Sequence, residues 1–268
     1  MPELPEVETV RRQLVPRLSG RTVLEAGSHS SAKFVDARSA TGATLQSVER
    51  RGKFLIIPTD DGREVVIHLG MTGQIRFRTG EPDDSNPHLR AWWQLDHDEV
   101  MEFIDVRRFG RIRIVSAGDY ASMPTLHRLG PEPFDPALTP IDFWHRLQQS
   151  KRAIKTNLLS QRPIAGVGNI YADEALWLAG INPRATRLGK ARAARLLHAI
   201  QQVLQQGIDN SGTTLRDYRT VEGGSGDNQS RLHAYGRGGE PCNRCGSILS
   251  RAELDARTTT WCPICQRR

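Results

Sequence analysis

The sequence predicts an α+β protein: an N-terminal helix on a β-sandwich, then a helical domain, then a small metal-held hairpin. Three observations carry that prediction. Between residues 21 and 115 the apolar side chains alternate in short runs bounded by turn clusters, the two-residue period of half-buried strands. From Ile141 onward the period lengthens to that of helices. All four cysteines crowd into the last 27 residues, as Cys242-Asn-Arg-Cys245 and Cys262-Pro-Ile-Cys265.

Pro5 suits the first turn of the opening helix, Glu6 and Glu8 sit at its positive end, and Val7, Val10 and Leu14 mark one face. Pro16 is expected to end it. Strands are expected at 22–24, 53–57, 64–68, 74–77, 91–95, 100–104 and 111–114, separated by clusters such as Asp60-Asp61-Gly62 and Asp96-His97-Asp98. Helices are expected at 141–149, 153–160, 169–179 and 187–206, the last showing Leu196, Ile200, Val203 and Leu204 on one face and Gly207 as its C-terminal cap. The implied organisation is a sandwich domain over 1–115, a proline-rich linker over 116–140, a helical domain over 141–221, a mobile polar loop over 222–234 and a metal module over 235–268. At roughly 150 residues per domain, 268 residues suffice for two cores.

Lys and Arg number 37 against 30 Asp and Glu, a net charge of +7 that favours a polyanionic partner. No apolar run approaches the roughly 20 residues of a membrane span, and the N-terminus lacks the basic and apolar parts of a secretory signal. A soluble, cytoplasmic protein is expected. In that reducing setting, two C-x2-C pairs sixteen residues apart read as four thiolates around one structural Zn(II) ion rather than as disulfides.

Two further features bear on chemistry. Gly166-Val167-Gly168-Asn169 runs into a helix and could present backbone N–H groups to a phosphate, but Tyr171 stands where a dinucleotide fingerprint needs its third glycine. Pro2 follows the initiator Met1; removal of Met1 would leave a secondary amine flanked by Glu3 and Glu6, a nucleophile able to form an iminium with an aldehyde-like carbon. Taken alone, Pro2 could simply open the helix.

The motifs together resemble bacterial formamidopyrimidine-DNA glycosylases. The resemblance rests on Pro-Glu-Leu-Pro-Glu-Val-Glu-Thr-Val-Arg at 2–11, Arg-Gly-Lys-Phe at 51–54, His-Leu-Gly-Met-Thr-Gly at 68–73, Asp-Val-Arg-Arg-Phe-Gly at 105–110, Gly-Val-Gly-Asn-Ile-Tyr-Ala-Asp-Glu-Ala-Leu at 166–176 and Ala-Arg-Thr-Thr-Thr-Trp-Cys-Pro-Ile-Cys-Gln at 256–266. It implies a helix-two-turn-helix domain, a C-terminal zinc finger and a base-excision enzyme that flips an oxidised purine out of damaged duplex DNA. The glycosylase step is coupled to a β,δ-eliminating lyase step through a Schiff base on Pro2.

By the same resemblance Glu3 transfers protons at the sugar, Lys53 contacts phosphate and assists, Arg257 completes the catalytic group, and Glu6 lies near the lesion base. Met71, Arg107 and Phe109 fill the void left by the flipped nucleotide. His68, Lys155, Asn169 and Arg257 grip the backbone. Read without the family, Met71 and Phe109 are core residues, Glu3 and Glu6 are helix-start carboxylates, and Lys53 is a solvated strand lysine. The chain departs from the pattern at Gly226-Asp227-Asn228-Gln229, where many members carry an aromatic pair before the glutamine. An endonuclease VIII-type enzyme for oxidised pyrimidines and a non-catalytic binder of damaged DNA are the competing readings; the protein is expected to act as a monomer on damaged duplex DNA.

Overall fold

Val7, Val10, Leu14 and Leu18 lie along one face of the first helix, α1 (Leu4–Leu18), and this stripe is buried against a two-sheet core. The computed structural model describes residues 1–267; Arg268, the last residue of the expected metal module, lies outside the described residues. Pro16 does not end α1, which runs on to Leu18. A proline in the last turn forfeits one hydrogen bond, and burial of Leu18 outweighs that loss.

The chain divides into two units. The first comprises Met1–His127 and Asn210–Asp227. Its strands are β1 (Val23–Ser28), β2 (Glu49–Arg51), β3 (Phe54–Pro58), β4 (Arg63–His68), β5 (Gly73–Thr79), β6 (Leu89–Leu95), β7 (Glu99–Asp105) and β8 (Arg111–Ser116). They form two antiparallel four-stranded sheets in the orders β1-β6-β7-β5 and β2-β3-β4-β8. Leu55, Ile57, Val65 and Ile67 from one sheet and Ile75, Ala91, Trp93 and Phe103 from the other fill the core. Strand β2 escaped the sequence reading because Glu49-Arg50-Arg51 carries no apolar alternation. The expected linker holds a short helix, α2 (Pro124–His127), and the unit boundary falls just after it.

The second unit comprises Arg128–Asp209 and the residues from Asn228 onward. It contains α3 (Pro140–Gln148), α4 (Ile154–Leu159), α5 (Asn169–Leu178), α6 (Lys190–Asp209) and a hairpin of β9 (Ser250–Leu254) and β10 (Arg257–Trp261). Gly207, expected as a cap, lies inside α6. A Cβ there would stand 2.5 Å from the Tyr171 hydroxyl, so the glycine admits that ring rather than stopping the helix.

Residues 210–227 also depart from expectation: they belong to the first unit, where Tyr218 and Val221 join its core. The polar loop beginning at Glu222 is laced by backbone bonds, with Thr220 N–H on Gly224 O at 2.9 Å and Asp227 N–H on Asn210 O at 2.9 Å. Glycine-rich composition signals freedom in the unfolded chain, and here it serves close backbone approach. A Cβ at Gly226 would stand 2.1 Å from Gly212 O.

Candidate active site and nucleic-acid interface

The N-terminus buries two carboxylates next to Pro2, itself buried: Glu3 is 3% and Glu6 1% exposed. Glu6 Oε2 accepts the Glu3 backbone N–H at 2.8 Å, closing the first turn of α1, and Glu6 Oε1 accepts the Thr213 N–H at 2.7 Å. Gly212 has φ +86°, and a Cβ there would come within 2.9 Å of Glu6 Cγ, so the glycine lets segment 210–227 close on the carboxylate. Met1 stands 51% exposed at the chain start. With Met1 attached the Pro2 nitrogen is an amide; its removal turns that nitrogen into an amine beside the two carboxylates.

Lys53 is buried immediately before β3, and the strand register sets Phe54 opposite His68 of β4. Desolvation, then the charges of Lys53 and Arg111, push the His68 imidazole down to about 4. It is therefore neutral at pH 7, a donor on one nitrogen and an acceptor on the other. The ring packs on Phe54 at 4.7 Å between centroids. A cavity of about 210 Å3 is lined by Phe54, His68, Phe109, Arg111, Met123 and Thr125, so His68 and Phe109 share one concavity.

Met71 lies half-buried on the loop after β4, while Arg107 and Phe109 are exposed on the loop after β7. Phe109 is 50% exposed and the Arg107 guanidinium lies 5.0 Å from its ring centre. An aromatic held in solvent beside a cation is not a core residue. Asp105 ties the two loops together from beneath: fully buried, its carboxylate accepts the Thr72 hydroxyl and, at 2.7 Å, the Gly110 N–H. Thr72 Oγ1 in turn accepts the Arg107 N–H at 3.0 Å. Gly70 has φ +68°, and a Cβ there would stand 2.4 Å from Gly110 N, so the loops touch backbone to backbone.

In the second unit Asn169 is the first residue of α5, and its Nδ2 donates to Thr258 O on β10 at 3.2 Å. Arg257, the neighbour of Thr258, is exposed. Asp255 and Ala256, with φ +49° and +57°, make the tight turn that presents it. Asn169 and Arg257 are thus brought together. Lys155 is not placed as a surface phosphate contact. It is 1% exposed, and its ammonium contacts Asp173 Oδ1 at 2.6 Å, Thr258 O at 3.0 Å and Thr259 Oγ1 at 2.9 Å. An ion pair to Asp173 of α5 and two hydrogen bonds to β10 make Lys155 a clamp between the hairpin and the helices.

The four cysteine sulfurs lie within 4.8 Å of one another. Four thiolates about 2.3 Å from a tetrahedral zinc ion are separated by roughly 3.8 Å, which this cluster accommodates. The Cys262 sulfur accepts the Cys265 N–H at 3.3 Å. Cys242, Cys245, Cys262 and Cys265 fit one structural Zn(II) ion with no open position.

Comparison with known proteins decides the assignment. Family models for the formamidopyrimidine-DNA glycosylase N-terminal domain, the H2TH domain of that glycosylase and the zinc finger found in FPG and IleRS match residues 1–112, 129–219 and 239–268. The formamidopyrimidine-DNA glycosylase of Herpetosiphon aurantiacus is 44% identical over 276 residues, covering 99% of this chain and all of that one. The chain belongs to the formamidopyrimidine-DNA glycosylase family. Among solved structures, the MutM (Fpg) protein of Thermus thermophilus matches with a TM-score of 0.91 at 44% identity, over 99% of this chain and 98% of that one. Wild-type Lactococcus lactis Fpg, in complex with DNA containing N7-benzyl-Fapy-dG, matches with a TM-score of 0.89 at 33% identity over the whole of both chains.

Several residues that hold this glycosylase fold's site in place escaped the sequence reading. Asp105 and Thr72 sit inside quoted motifs, yet nothing in a linear sequence says that they meet. Glu174 is another: its carboxylate accepts the N–H groups of His233, Ala234 and Tyr235, each at 2.8 Å, and so fixes the chain where it enters the zinc module. A buried acid within an apolar helix, in Asp173-Glu174, was the available signal.

Proposed function

We propose that this chain excises oxidised purines, 8-oxoguanine and formamidopyrimidines, from duplex DNA and then nicks the strand, with the Pro2 amine as nucleophile once Met1 is removed. The observation that carries this reading is the burial of Glu3 directly beside Pro2, a carboxylate within reach of the chain start, while Glu6 is committed to the Glu3 and Thr213 N–H groups and holds that start in place.

The Pro2 nitrogen attacks C1′ of the flipped nucleotide and the glycosidic bond breaks, the base leaving with the bonding pair and a proton. Glu3 delivers a proton to O4′ as the sugar ring opens to the iminium. Loss of a C2′ proton expels the 3′ phosphate, a second elimination expels the 5′ phosphate, and water hydrolyses the iminium to regenerate the amine. Lys53 and Arg257 hold phosphate charge; Met71, Arg107 and Phe109 enter the vacated stack, with Arg107 facing the orphaned cytosine. His68 and Asn169 grip the backbone. Zinc supplies structure alone.

The ring-opened purine in the Lactococcus lactis complex supports a purine substrate. Damaged duplex DNA is the partner of a monomeric protein, acting on the nucleoid in the bacterial cytoplasm. Among the described residues, no helix is long and apolar enough to cross a membrane.

Borohydride reduction during turnover on duplexes carrying 8-oxoguanine or an oxidised pyrimidine tests the reading. A covalent protein–DNA adduct on the 8-oxoguanine duplex, absent when Met1 is retained, is expected. Trapping only on the pyrimidine lesion would move the chain to the endonuclease VIII type. Tight binding with no adduct on either would leave a non-catalytic binder.

A further inference from the structure

Trp177 closes the last turn of α5, and its indole N–H points at Cys242 Sγ, 3.3 Å away in a buried setting. The His233 ring stacks on the indole at 4.5 Å and 12° between planes, and the Arg244 guanidinium lies 4.4 Å from its centre. Asn243 Nδ2 meets His233 Nδ1 at 3.0 Å, and Arg244 also donates to Leu178 O at 3.2 Å. Three consecutive residues of the first cysteine turn, Cys242, Asn243 and Arg244, therefore grip one side chain: by sulfur, through the stacked histidine and by cation–π contact.

An indole N–H can only donate, so it complements a sulfur acting as acceptor. A metal-bound thiolate retains lone pairs and negative charge for such a donor, whereas a free thiol is a weak acceptor whose own hydrogen competes for the space. Hydrogen bonds reaching ligands from outside the coordination shell orient them and set how firmly the metal is held.

We propose that Trp177 is a positioning residue of the zinc centre: its N–H holds the Cys242 sulfur in ligand geometry, so that metal retention depends on the far end of the helix that begins with Asn169. The proposal rests on the zinc assignment and is independent of the excision reaction. It makes α5 a strut between the candidate phosphate contact and the metal. A phenyl ring at this position would keep an aromatic face for His233 and Arg244 and lose the donor, together with part of the indole's bulk.

Trp177→Phe removes that donor. Competition with a chromogenic chelator should show zinc affinity lowered about tenfold, the lower end of the usual effect of removing such a partner. The cobalt-substituted variant should show its sulfur-to-metal charge-transfer band moved to lower energy, because the thiolate has lost a bond that stabilised its lone pair. A side chain acting only as filler would leave that band in place. Unchanged affinity together with an unshifted band overturns the proposal. Cadmium-substituted wild-type protein supplies a measurement independent of whether the variant folds: an indole proton should show scalar coupling to the metal across the N–H···S bond. Bound cadmium with no indole coupling overturns the proposal as well, and failure of any metal to bind overturns the zinc assignment beneath it.

Discussion

Asp105→Asn tests whether the two loops that carry Met71, Arg107 and Phe109 act as one rigid piece. The carboxylate takes two hydrogen bonds in a fully buried position, from Thr72 Oγ1 and Gly110 N–H. An amide keeps the size and one acceptor but turns a donor toward one of these donors. One charge-assisted bond is lost and one buried donor is left unpaired, a cost of about 2–3 kcal/mol. For a unit of this size, each kcal/mol lowers its thermal transition by roughly 2–4 °C, so a fall of about 5–10 °C is expected for the first unit. If the loops then sample several arrangements, affinity for duplex containing an abasic-site analogue should fall about tenfold, while undamaged duplex is bound as before. Thr72→Ser keeps the hydroxyl and should stay near wild type; Thr72→Val should resemble Asp105→Asn. Calorimetry and fluorescence anisotropy give the two readouts. A variant with a lowered transition and unaltered discrimination between damaged and intact duplex would refute the coupling of this carboxylate to lesion recognition.

Cys262→Ser should release the metal, seen by elemental analysis, and weaken DNA binding while the first unit keeps its own thermal transition, since no ligand sulfur belongs to that unit. Arg257→Ala should lower the slope of log affinity against log salt by about one, measured from low to physiological salt, if Arg257 makes the phosphate contact proposed for it. The His68 prediction concerns pH. Its folded value of about 4 lies below the unfolded 6.5, so its neutral form contributes stability in full above pH 6.5, and that contribution fades as pH falls from 6.5 to about 4. The gap corresponds to about 3 kcal/mol, and His68→Gln should flatten the denaturation profile over that window by a comparable amount. An assigned His68 imidazole resonance titrating near 6.5 in the free protein would contradict it.

The zinc ligands were legible because metal chemistry fixes both residue type and spacing, and the structure brings the four sulfurs together. The strands with apolar alternation were legible for a similar reason: burial on one face writes a period into the chain. What stayed hidden was decided by partners distant in sequence. Lys155 reads as a surface cation until Asp173 and the β10 carbonyl are set against it. Gly207 reads as a helix stop until Tyr171 fills the notch it leaves. The polar loop near Glu222 reads as slack until Gly212 and Gly226 are seen to close on each other. Composition reports what a segment can do alone, and each of these segments is shaped by what it touches.

The return of residues 210–227 to the first unit has a consequence for biosynthesis. The Glu6 carboxylate waits for the Thr213 N–H, a partner 207 residues further along the chain, and the core lacks Tyr218 and Val221 until they emerge. At about 5–20 residues per second, the ribosome takes roughly 10–40 s to supply them. Throughout that interval the N-terminal strands can pair, but the nascent unit is incomplete and the start of α1 is uncovered by its late partner. The order of translation thus leaves Met1 and Pro2 open to processing before the segment that braces Glu6 arrives.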